Sequence, residues 1–81
     1  MKYIVTITQK TTSEQFICAA YVKDTEVEAL AMYHAEMMGG YTAVSNGTLE
    51  FETVVVTTEQ GGFILSDSTL RHTQRSIPAP E

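Results

Sequence analysis

Lysine and arginine are nearly missing from the middle of this chain. Lys2, Lys10 and Lys23 lie at or before position 23, Arg71 and Arg75 fall in the last eleven residues, and nothing between them carries a permanent positive charge. Nucleic acid is therefore a poor direct ligand, because neutralising successive phosphates takes clustered lysines and arginines. Cysteine occurs once, at Cys18, which excludes an internal disulfide framework and any cysteine-based zinc cluster. There is no run of about 18 apolar residues, so no membrane span is expected. Met1-Lys2 leads straight into strand-like sequence instead of the apolar stretch of a signal peptide. The chain is expected to work in a reducing cytoplasm without a membrane, metal or cofactor.

What is present is acid and apolar surface. The 81 residues carry a net charge of −5, and 43% of them are hydrophobic, a globular composition rather than a disordered one. The segment free of lysine and arginine holds Asp24, Glu26, Glu28, Glu36, Glu50, Glu52, Glu59 and Asp67 and should project a negative potential. A chain of this length makes a single domain that buries only about 60% of its unfolded surface, so a partner adds usefully to its stability.

The pattern along the chain predicts an α+β domain over residues 1–66, in the order ββαβββ, with one amphipathic helix on an antiparallel sheet of four to five strands. Residues 2–8 and 15–22 alternate β-branched and aromatic residues and read as a hairpin. The first of these strands is apolar on both alternating sets, as an interior strand should be. Phe16, Cys18, Ala20 and Val22 share one face of the second. Either Asp24 or Thr25 can cap the helix; Thr25, with Glu28 three residues on, has capping-box spacing, and the helix is expected to stop at Gly39-Gly40. Its apolar stripe reads as Val27, Leu30, Ala31, His34, Met37 and Met38.

Tyr41–Ser45 then reads as a short strand, with Asn46-Gly47 as a hairpin turn into a long strand at residues 48–57. In that strand Leu49 and Phe51 alternate with Glu50 and Glu52, whereas Val54-Val55-Val56 is apolar on both faces. Either a bulge switches faces or a second surface covers one end. Residues 63–66 form a last strand, and residues 67–81 read as an extended or disordered tail.

Catalytic arrangements are thin. Gly39-Gly40 and Gly61-Gly62 lack the spacing of a phosphate loop, and His34 and Glu36, two apart on a helix, point to different faces. Cys18 with His34 would make a nucleophile and base, but a mid-strand cysteine among apolar neighbours is more often a small buried hydrophobe. The chain is not expected to be an enzyme.

Three roles compete. The leading one is a small acidic protein-binding module, dimeric, that occupies a basic nucleic-acid-binding surface of another protein through Glu28, Glu36, Glu50 and Glu52. Inhibitors carried by phages and mobile elements work this way, an analogy of size and charge alone. The second is a small-molecule binder with an interface pocket lined by His34, Met32, Tyr41, Arg71 and Arg75. The third is a structural assembly subunit that pairs through strand edges.

Overall fold

The computed structural model describes residues 1–70. Its elements are β1 (Tyr3–Thr11), β2 (Phe16–Lys23), α1 (Glu26–Ser45), β3 (Leu49–Thr58) and β4 (Phe63–Ser68). The strands form one antiparallel sheet in the order β2-β1-β3-β4. The α+β class, the N-terminal hairpin and the interior position of β1 all follow the sequence pattern.

Two hairpins, β1–β2 and β3–β4, are joined by α1 and paired along β1 and β3. Their loops share one design. In the first, the Thr11 N–H donates to Gln15 O (2.8 Å), the Glu14 N–H to Thr11 O (3.0 Å) and the Gln15 N–H to Thr11 Oγ1 (3.0 Å). In the second, Thr58, Gly61 and Gly62 repeat this set at 2.8, 2.9 and 2.9 Å. The fourth loop position has positive φ in both, 90° at Gly61 and 72° at Glu14. Glycine adopts that conformation without cost; glutamate does not.

The helix begins as the sequence predicts, with the Thr25 hydroxyl accepting from the Glu28 N–H. Its end does not. It runs through Gly39-Gly40 to Ser45, so Tyr41–Ser45 is helical and the sheet has four strands rather than five. Asn46-Gly47 closes the helix instead of turning a hairpin. Gly47, at φ 83°, donates its N–H to Val44 O, and the Thr48 N–H donates to Ala43 O. These are the two bonds of a Schellman helix end. The same tolerance of positive φ that suggested a hairpin thus ends a helix.

The buried helix face is also not the expected one. Ala29, Tyr33, Met37 and Gly40 face the sheet, while Val27 is 77% and Met38 72% exposed. At 100° per residue the buried stripe lies roughly 120° from the one read from hydrophobicity. Apolar residues occur all round this helix, so shape decides. Tyr33 supplies bulk, and Ala29 and Gly40 let the backbone approach. The core joins Ala29, Tyr33 and Met37 to Val5 and Ile7 of β1 and Val54 and Val56 of β3.

The face switch in β3 is a bulge. Lys10 pairs with Phe51 but Thr11 with Leu49, which leaves Glu50 as the extra residue. Leu49 and Glu52 consequently both turn toward the helix and are buried, while Glu50 stays outside and meets Lys10 Nζ at 3.2 Å. Beyond Ser66 the chain continues in β4 to Ser68, and Thr69 is fully buried. The folded unit therefore reaches past residue 66.

Candidate functional site: a bare strand and the groove beside it

The position of α1 decides which surfaces remain open. The helix lies mainly over β3 and leaves β2 uncovered. Register fixes which β2 side chains point where. Val5 and Ile7 are core residues, and their partners are Tyr21 and Ala19. Ile17, Ala19, Tyr21 and Lys23 therefore share the helix side of the sheet, and Phe16, Cys18, Ala20 and Val22 share the opposite side. Both sides are open: Phe16 is 66% exposed, Val22 63%, Ile17 46% and Tyr21 44%. Cys18 is exposed as well, so it is not the buried hydrophobe its neighbours suggested. On the open sheet face, Lys10 places its ammonium 5.8 Å from the Phe16 ring centroid.

Between β2 and the first turns of α1 runs a groove of about 560 Å³, lined by Val22, Lys23, Asp24, Glu28, Ala31 and Met32. Glu28, Ala31 and Met32 fall on one flank of the helix, being three and four residues apart. Asp24 is ion-paired with Lys2 across the groove's end. This pairing raises the lysine pKa and lowers that of the carboxyl.

A second feature lies inside the helix–sheet interface. The Glu52 side chain is fully buried, and a Cβ on Gly40 would sit 2.6 Å from its Oε1. Its backbone N–H donates to Thr69 Oγ1 at 3.0 Å. Glu36 and Gln9 act on the Glu52 carboxyl, the first raising its pKa and the second lowering it, and its Oε2 has no hydrogen-bond partner among the described residues. Burial first, and the neighbouring Glu36 second, push its pKa up to about 7. A carboxyl in this setting holds a proton that an exposed glutamate would have released.

The expected site residues scatter. Glu28 rims the groove. Glu36 reaches inward to Glu52, and Glu52 itself is inaccessible, so the expectation that Glu50 and Glu52 share a wet strand face fails at the bulge. Met32 lines the groove. His34 is exposed on the helix, edge-on to the Tyr33 ring at 5.0 Å, not in an apolar stripe against the sheet. Tyr41 sits on the other flank of α1, where burial and the nearby Asp67 raise its pKa. Within one protomer Met32 and Tyr41 thus lie on different flanks of α1. Arg71 and Arg75 lie outside the described residues. Cys18 and His34 are on opposite sides of the sheet, so they do not form a nucleophile and base.

Among the described residues no helix is long and apolar enough to cross a membrane. Comparison with known protein families, with characterised proteins and with solved structures returns no match.

Proposed function

We propose that this chain is a non-enzymatic protein-binding module of the cytoplasm that occupies a basic, partly apolar surface of a larger protein, as small inhibitors carried by phages and mobile elements do. The observation that carries this reading is the exposure of Ile17 and Tyr21 on the helix side of β2, next to the groove rimmed by Asp24 and Glu28. Contiguous apolar surface with a polar rim marks interaction sites on small proteins. Charge supplies the partner's sign: of the three lysines among residues 1–70, Lys2 and Lys10 are each tied to a carboxylate, so acids dominate the remaining field. Rim charges of this kind steer encounter more than they add affinity.

The test is affinity capture with the wild-type chain and with a Tyr21→Ser, Glu28→Gln double variant, at about 50 and 500 mM salt. A specific protein should be retained by the wild type at low salt, released at high salt and missed by the variant. Capture that is indifferent to both salt and substitution would overturn the reading.

A further inference from the structure

The sheet has two edges, and only one is guarded. β4 is six residues long, carries Asp67 and two serines, and breaks register at a bulge opposite Val56/Thr57. Short length, charge and bulges are how natural sheets prevent edge-to-edge pairing. β2 is longer, has no bulge and is charged only at its last residue, Lys23. It pairs with β1 without interruption from Tyr3↔Lys23 to Lys10↔Phe16, has no proline, and carries no charge from Gln15 to Val22. Its outer row of backbone donors and acceptors stands ready along eight residues, with large apolar side chains exposed on both faces.

We infer that β2 is a dimer seam: it pairs antiparallel with β2 of a second copy of this chain about a two-fold axis at Ala19, which makes one continuous eight-stranded sheet. Self-pairing is favoured over an unrelated strand because the sequence of β2 complements itself. With the axis at Ala19, Phe16 opposes Val22 of the second copy on the open face. Ile17 opposes Tyr21 on the helix side, and Cys18 opposes Ala20. Aromatic against β-branched is the favourable cross-strand combination. The only charge on the strand, Lys23, then opposes Gln15, so no like charges meet within the paired strands. Moving the axis to Ala20 would set Lys23 against Ile17 and lose the Phe16–Val22 pair. A two-fold normal to the sheet keeps both helices on the same side. The seam joins two eight-residue strands, a narrower strip than the ~800 Å² per partner of a standard interface, so a dimer in the micromolar range is expected.

This inference shares the β2 surface with the basic partner proposed above but is tested apart from it, on purified protein alone. Sedimentation equilibrium under reducing conditions, from about 1 to 500 μM, should show the mass rise from 8.9 kDa to twice that value. Ala20 is exposed beside the axis, so Ala20→Lys and Ala20→Glu each place like charges near their own copies across the seam. Each variant alone should remain monomeric with an unchanged circular dichroism spectrum, and an equimolar mixture should recover the dimer. A wild type that stays at the monomer mass, variants that still dimerise, a mixture that does not recover, or growth beyond two copies would each overturn the seam.

Discussion

β2 and β3 flank the same strand, run parallel to each other and pair with β1 residue for residue: Ile7 meets Ala19 on one side and Val54 on the other. Their fates differ completely. Val54 and Val56 are fully buried, whereas Ile17 and Tyr21, on the same helix side of β2, are 46% and 44% exposed. Neither residue type nor hydrogen bonding to β1 explains this; the placement of α1 does. A helix about 10 Å across covers about two strands spaced 4.8 Å apart, not four. With one helix to place, the chain puts it where Gly40 can close onto β3 and leaves β2 for contacts outside the monomer. Within one small sheet, stability and recognition are assigned to different strands.

The sharpest way to break that division is to truncate matching side chains. Val54→Ala should lower unfolding free energy by about 2 kcal/mol, whereas Ile17→Ala, on the same side of the sheet, should change the monomer by less than about 1 kcal/mol. Urea denaturation at a concentration too low for dimerisation reads both. Equal costs would mean that the helix does not choose between the strands.

The next effect is one of pH. Glu52 has a folded pKa of about 7 against 4.5 for a free glutamate side chain, so the folded state holds a proton that the unfolded chain has released. Its favourable contribution is present below about pH 4.5 and is lost as pH rises through about 7, by up to about 3 kcal/mol. Thermal midpoints should therefore fall between pH 5 and 8. Glu52→Gln, which cannot ionise, should flatten that slope. A profile that rises from pH 5 to 8 would refute the placement of Glu52.

The smallest effect separates the two hairpins at their shared loop. Glu14→Gly should stabilise the protein by about 0.5–1 kcal/mol by relieving a positive φ, and Gly61→Ala should cost about 1 kcal/mol for the reverse reason. Chemical denaturation of the two variants gives both signs in one comparison.

Much of the architecture is legible in the residues. Alternation locates β1, β2 and β4, and Thr25 with Glu28 locates the start of α1. The misreadings share a cause: signals whose meaning depends on distant contacts. Asn46-Gly47 states only that positive φ is allowed there, and both a hairpin and a Schellman end use it. Gly39-Gly40 reads as a stop, but a helix tolerates glycine at about 1 kcal/mol each, and Gly40 is used for its close approach to Glu52. Glu52 itself reads as solvent-facing because the bulge at Glu50 shifts the alternation by one residue, and no local pattern marks that shift. The bare face of β2 could not be seen either. Its sequence is that of a core strand, and only the helix position shows that nothing among the described residues covers it.

The seam between β1 and β3 also sets an order of events. Each hairpin closes locally, on the microsecond scale of such turns, but the central pairing brings together residues as distant in sequence as Tyr3 and Thr58. Closing that long loop is the slow step, since its entropy is lost before its contacts form. Until it closes, β1 and β3 each present a second open edge rich in valine and isoleucine, and a nascent chain exposes three template strands where the finished one exposes β2. Conditions that slow the docking of α1 should therefore convert folding into aggregation well before they measurably reduce the stability of the folded state.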